Sequence, residues 1–177
     1  MTVDAAGSVL KIRAPGFSFL KGDPLARLKD GRSVRVELTA MVLPGPGKSA
    51  STMARRIFAL SYDLWEERFA VTTVEARAQS VSHLAQAAAE AWCVDQLLIP
   101  LSALGAQGRD VPFWLRLEYR ILDGDSDGAP GASDPAYTLQ GLIEVLSRRR
   151  KTEPATHVLE GGPFRVPARG GGRPSPR

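Results

Sequence analysis

The sequence predicts a mainly β protein: an antiparallel, β-sandwich-like single domain with one principal Ala-rich helix. Three observations favour this fold class. Several segments alternate apolar and polar residues with a period of two, which is typical of strands that bury one face. One Ala-rich segment has apolar residues at helical spacing. The 177 residues are 44% hydrophobic, which is enough for one well-buried core and little more.

We expect this domain to occupy residues 8–166, between a flexible N-terminus (1–7) and a disordered basic tail (167–177). The tail, "PARGGGRPSPR", has too few apolar groups to offset the entropy lost when a chain becomes ordered.

A short helix is predicted at about 23–30, in "DPLARLKDG". Asp23 is the expected cap and Pro24 the expected first helical residue, since proline needs no intrahelical hydrogen-bond donor there. Gly31 is expected to end the helix.

Two long segments predict strands with one buried face. In "SVRVELTAMV" the polar residues alternate with a buried set, and "WLRLEYRIL" has the same pattern. The predicted buried sets are Val34, Val36, Leu38, Ala40 and Val42 in the first strand, and Leu115, Leu117, Tyr119 and Ile121 in the second.

The segment "RIFALSYDLWEERFAVTTV" predicts a β-hairpin. Its turn, "DLWEE", has no Gly or Asn to supply positive φ angles, so we expect a four- or five-residue loop built on a type I turn. Asp63 suits the first position of such a turn because its carboxylate can accept backbone N–H groups.

The principal helix is predicted at about 82–96, in "SHLAQAAAEAWCVDQ". Ser82 is the expected cap, and Trp92 is a large anchor on an adjoining face. The expected core-facing stripe consists of Leu84, Ala87, Ala88, Ala91 and Val94. Two short apolar runs, "LLIPLSAL" and "GLIEVLS", fit either strand or helix, and we favour strand because the chain is strand-rich.

The stretch "MVLPGPGKSAS", residues 41–51, ends like a phosphate-binding loop. Val42 stands where that motif needs its first Gly, and Pro44 and Pro46 remove backbone N–H donors. The residues that follow predict a strand instead of a helix whose N-terminus would face the phosphate. We therefore expect a connection between two strands.

The acidic segment "DGDSDG" resembles part of a calcium loop. Asp123, Asp125 and Asp127 have the required spacing, and Asp134 stands at the twelfth position. The segment follows a strand, contains Pro130 and has Asp in place of the usual Glu. A solvated loop over 123–136 is therefore favoured over a cation site.

No arrangement of residues predicts catalysis or a bound cofactor. The chain has no Gly-x-Ser-x-Gly motif, and the two histidines, His83 and His157, have no carboxylate or cysteine at metal spacing. Cys93 lies inside the principal helix and is expected to be a small buried residue. Glu66 and Glu67 are expected to point apart into water.

The basic residues are concentrated at one end of the chain. Residues 148–177 contain eight Lys or Arg and two Glu, whereas residues 1–147 carry a net charge of −2. No aromatic residues interleave with "SRRRK", so base stacking and sequence-specific nucleic-acid binding are not predicted.

Trp65 is a candidate partner-binding residue, together with Glu66 and Arg68. It stands near the predicted hairpin tip beside charged residues, where an exposed aromatic ring can anchor a partner protein. The alternative is that Trp65 folds back over the edge of the sheet, because Trp is highly buried on average.

The order of these features resembles a bacterial family of uncharacterised β-sandwich proteins. The likeness covers residues 8–147 and lies in "LARLKDGRSVRVELTAMVL", "RRIFALSYDLWEERFAVTT" and "LRLEYRILD", with a helical insert at 82–96. It implies an antiparallel sandwich with no known enzymatic activity. It also implies an exported or envelope-associated protein, whereas residues 1–20 show no leader.

We therefore expect a non-catalytic accessory or protein-binding module without cofactors. The alternative is a calcium-dependent sandwich that binds a ligand or a membrane surface. No apolar run is long enough to predict a transmembrane segment. The expected location is cytoplasmic as the chain stands, or the cell envelope or periplasm if the true N-terminus lies upstream of Met1.

Overall fold

The computed structural model describes residues 1–75, 77–108, 111–122 and 157–166. Within these ranges the architecture is mainly β, as predicted, with two antiparallel sheets, two α-helices and a 3₁₀ helix at Leu101–Gly108. The strands are β1 (Thr2–Ala6), β2 (Val9–Arg13), β3 (Val34–Leu43), β4 (Thr52–Asp63), β5 (Arg68–Thr73), β6 (Ser80–Leu84), β7 (Ile99–Pro100), β8 (Phe113–Leu122) and β9 (His157–Phe164). The helices are α1 (Asp23–Lys29) and α2 (Gln86–Asp95).

The larger sheet has the strand order β6-β5-β4-β3-β8-β9, and the smaller has the order β1-β2-β7. In the larger sheet β3 is central, and Val36 is paired with Phe58 of β4 on one side and Ile121 of β8 on the other. Because the period of a strand is two, this register sends the alternate apolar residues of all three strands to one face. The predicted alternation of β3 and β8 is confirmed with two exceptions: Ile121 is only half-buried, and Thr39, on the polar face of β3, is buried.

The core lies where that face meets the smaller sheet and α2. Leu10 and Ile12 of β2 join one buried cluster with Val36 and Leu38 of β3 and Val94 of α2. Burial of this apolar surface is the main force holding the two sheets together. No helix in the described ranges is long and apolar enough to cross a membrane.

We predicted that the N-terminal residues 1–7 are flexible. This prediction is wrong, because these residues contain strand β1. Thr2–Ala6 pairs with β2 across a two-residue turn of Gly7 and Ser8. Gly7 has a φ of +63°, which a tight hairpin turn requires and which glycine adopts without strain. The "GS" pair between two short apolar segments was a signal for this hairpin.

The principal helix is also shorter than predicted. Residues 80–84 form β6, which pairs with β5, so α2 begins at Gln86 and Ser82 does not cap it. Ala85 is the N-cap and makes no side-chain capping hydrogen bond. The buried face consists of Ala89, Glu90, Cys93 and Val94, so only Val94 of the predicted stripe is buried.

The remaining predicted elements differ in smaller ways. Helix α1 is confirmed, but Gly22 and not Asp23 is its N-cap. The run "LLIPLSAL" contributes a strand only at Ile99–Pro100 before the 3₁₀ helix begins. The run "GLIEVLS", the acidic loop and the basic tail from 167 lie outside the described residues.

Candidate functional site

The turn between β4 and β5 brings three candidate residues together. Strand β4 ends at Asp63 and β5 begins at Arg68, which leaves a four-residue turn over 64–67. Asp63 Oδ1 accepts hydrogen bonds from the backbone N–H groups of Trp65 (2.8 Å) and Glu66 (3.0 Å). The predicted loop length and the predicted role of Asp63 are therefore confirmed. Glu67 supplies a positive φ of 52° without glycine.

These hydrogen bonds also keep Asp63 charged. They lower the pKa of its carboxyl below the ordinary value. The bond from Glu66 has the largest effect, the bond from Trp65 has the next largest, and His83 adds a smaller effect. Hydrogen bonds from N–H groups favour the ionised form because they stabilise its negative charge.

Trp65 stands out from the turn and is 96% exposed. The alternative that it folds over the sheet edge is therefore wrong. The preceding residue, Leu64, is 57% exposed, so two consecutive large apolar side chains are exposed to water. Beneath them Tyr62 and Phe69 pack with ring centroids 4.8 Å apart, which braces the base of the hairpin. We call residues 63–68 the hairpin tip.

The charges of the hairpin tip are mainly negative. Asp63, Glu66 and Glu67 carry carboxylates, and Arg68 carries the one guanidinium. The tip therefore has a net charge of −2 from these four side chains. Arg68 Nη1 donates to the backbone carbonyl of Glu67 at 3.3 Å, so this guanidinium is held at the base of the turn.

A histidine–carboxylate pair flanks the hairpin tip. His83 Nδ1 lies 2.5 Å from Glu66 Oε2, and both side chains are largely exposed. Glu66 is exposed to water, as expected, and also contacts His83. Strand β6 brings the pair together because its register places Leu84 opposite Phe69, next to the turn. No local spacing in the sequence links residues 66 and 83, so sequence reasoning missed the pair.

The pair borders a shallow groove of about 280 Å³ that also contains Ser61 and Ser82. Within the described residues, the side chain that His83 contacts is that of Glu66. The same part of the chain contains no group of three or more His, Cys, Asp or Glu side chains arranged to hold a metal ion.

A second polar feature, missed by sequence reasoning, is the buried carboxylate of Glu90 on α2. Only 7% of this residue is exposed. Its Oε1 accepts hydrogen bonds from the Ser18 hydroxyl and from the backbone N–H groups of Phe19 and Leu20, all at 2.8 Å. Gln86, one turn earlier on α2, donates to the Leu20 carbonyl at 2.9 Å. The only local signal was a charged residue in the middle of an Ala-rich helix.

Cys93 is buried, as predicted, and its environment makes it a poor nucleophile. Burial raises the pKa of its thiol, and the nearby Glu90 carboxylate raises it further. The same two causes, in the same order, raise the pKa of the Tyr119 hydroxyl. Since the thiolate is the reactive form of cysteine, Cys93 is inert in the folded protein.

The predicted calcium ligands Asp123, Asp125, Asp127 and Asp134 lie outside the described residues, as does "SRRRK". A cation site there stays a prediction. Comparisons with protein-family models, curated proteins and solved structures find no match to this chain. The resemblance to a bacterial β-sandwich family likewise stays a prediction.

Proposed function

We propose that this chain is a non-catalytic protein-binding module that inserts its hairpin tip into an apolar pocket of a partner protein. The observation that carries the proposal is the exposure of Trp65, at 96%, beside exposed Leu64. A folded protein gains no stability from a Trp in water. Burial of an exposed Trp at the centre of an interface, in contrast, contributes strongly to binding.

The surrounding charges define the kind of partner. With Asp63, Glu66 and Glu67 around the two apolar side chains, the tip complements a pocket with Lys or Arg at its rim. The same negative charge opposes insertion into an anionic membrane surface, which repels carboxylates. The charge pattern therefore favours a basic-rimmed protein pocket over a membrane.

The geometry of the tip favours binding without rearrangement. Asp63 holds the turn through two backbone hydrogen bonds, and the Tyr62–Phe69 ring pair holds the strands below it. A preorganised tip loses little conformational entropy on binding.

Capture of partners from a lysate of the source cells tests this proposal. Replacing Trp65 by Ala should weaken the captured complex by roughly 30-fold or more, as truncation of an aromatic hot spot does. Met53→Ala is the matched control, because Met53 is 62% exposed but lies at the other end of β4. If Trp65→Ala retains the same partners with the same affinity, the proposal is wrong.

Charge reversal tests the predicted rim independently. Glu67→Lys should weaken the complex and slow its formation while Trp65 stays in place, because it removes attraction to a basic rim. Sedimentation with anionic vesicles tests whether the target is a membrane instead of a protein. Any retention of the protein by the vesicles should be the same for the wild type and Trp65→Ala. Retention that depends on Trp65 would instead identify a lipid surface as the target.

A further inference from the structure

A cleft of about 360 Å³ lies between α2 and the chain that follows β2, and none of its lining residues belongs to the hairpin tip. Its walls are mainly apolar and include Ala14, Phe17, Ala87, Ala91 and Val94. This volume is at the lower end of the range of small-molecule sites, so it suits a small ligand.

Glu90 contributes a buried polar group to this cleft. The three hydrogen bonds that it accepts converge on Oε1, and Oε2 accepts none from the described part of the chain. Among those residues, every fully enclosed side-chain oxygen has a hydrogen-bond partner. Oε2 has no such partner, so it is not fully enclosed. Since Glu90 lines the cleft, Oε2 is accessible from it.

Among the described residues, Glu90 is the only charged side chain of the lining that is buried. Asp95 adds a second carboxylate to the lining, and Met1 adds its amino group. Arg13 also lines the cleft, but its guanidinium lies 3.7 Å from Asp4 and its side chain is 71% exposed, so its charge is directed to the surface. A carboxylate with an apolar surrounding gains most from a charge-assisted hydrogen bond with a cation.

We propose that this cleft binds a small alkylammonium ligand. The ammonium group donates a hydrogen bond to Glu90 Oε2, and the alkyl chain packs against Ala87, Ala91 and Val94. The apolar walls contribute affinity, and the carboxylate selects the charge of the head group.

Titration of the full chain with n-hexylammonium, followed by amide NMR shifts, tests the proposal. Saturable shifts should appear at Ala87 and Val94. Hexanol and hexanoate have the same chain length, and they should bind at least about tenfold more weakly, because hydrogen bonds to charged groups are the stronger kind. Equal binding of hexanol and hexylammonium, or no saturable shift with hexylammonium, would overturn the proposal.

Two variants, Ala91→Phe and Glu90→Gln, test whether hexylammonium binds in this cleft. Ala91→Phe fills the cleft without touching Glu90 and should abolish saturable binding of hexylammonium. Ala88→Phe is its control, since Ala88 is also exposed on α2 but does not line the cleft. Glu90→Gln keeps an oxygen for residues 18–20 and removes the charge, so it should remove the preference for hexylammonium over hexanol. Unchanged binding by Ala91→Phe would show that the ammonium binds elsewhere.

Discussion

At the scale of single residues, one carboxylate oxygen determines the path of the chain before α1. Residues 18–20 belong to neither sheet, and the N–H groups of Phe19 and Leu20 are satisfied by Glu90 Oε1. Buried N–H groups need an acceptor, and without Glu90 these two would have none. A charged residue on the buried face of α2 thus replaces the backbone pairing that a strand would supply.

Replacing Glu90 by Ala should lower the free energy of unfolding by about 3 kcal/mol, because two buried N–H groups and the Ser18 hydroxyl lose their acceptor. Glu90→Gln should cost about 1 kcal/mol, since its amide oxygen can still accept these bonds. Urea unfolding of both variants measures the difference. Equal stability of the two variants would contradict the role assigned to Oε1.

Asp63 makes the order of the hairpin tip dependent on pH. Its folded pKa is lowered below the ordinary 3.8 by the backbone hydrogen bonds from Glu66 and Trp65, with a smaller contribution from His83. The stability from these bonds is therefore fully present above pH 3.8. It is lost as the pH falls through the lowered pKa.

Carboxyl NMR titration should accordingly give Asp63 a midpoint below 3.8, with the Trp65 amide shift changing over the same range. In Asp63→Asn, which keeps an acceptor but does not titrate, this change in the Trp65 amide should disappear. A midpoint at or above 3.8 for Asp63 would show that the turn does not depend on its charge.

At the scale of elements, β9 is placed by the close approach of glycine to a Trp ring. Gly162 has a φ of +147°, and a Cβ at this position would lie 2.7 Å from Cδ1 of Trp114 on β8. Only glycine combines this backbone conformation with such a short distance. The edge strand therefore depends on the absence of a side chain.

Gly162→Ala should lower the free energy of unfolding by about 1–3 kcal/mol, through the strained φ and the clash with Trp114. Gly16→Ala is the control, because a Cβ there meets nothing within 4 Å, and its effect should stay within about 0.5 kcal/mol. Thermal unfolding compares the two. A neutral Gly162→Ala would mean that β9 is not packed on β8 as described.

At the scale of the whole molecule, a continuous core joins the two sheets and α2. Leu38 of the larger sheet and Cys93 of α2 belong to the same buried cluster as Leu10 of the smaller sheet. Elements that share one core usually unfold together in small single domains. The sheets are therefore expected to lose structure in one transition.

Leu38→Ala should lower the free energy of unfolding by about 2–5 kcal/mol, as removal of a fully buried Leu side chain does. Cys93 is the only cysteine of the sequence and is buried, so its alkylation reports the opening of α2. In wild type and Leu38→Ala, alkylation of Cys93 and loss of circular dichroism should follow the same denaturant curve. Labelling at lower denaturant would indicate that α2 unfolds separately.

The sequence by itself determined the local features of this protein. The alternation in β3 and β8 and the turn after Asp63 were predictable, because the period of two and the chemistry of a turn act over a few residues. The β1–β2 hairpin carried a similar local signal in Gly7 and Ser8. The mainly β class follows from these patterns.

Only the tertiary structure decided the start of α2, the exposure of Trp65, the His83–Glu66 pair and the hydrogen bonds of the buried Glu90. Residues 80–84 became a strand because β5 offered them backbone partners, which local helix propensity does not reveal. The His83–Glu66 pair and the bonds from residues 18–20 to Glu90 join distant parts of the chain. Such contacts depend on strand register and sheet packing, which bring together residues that no local pattern connects.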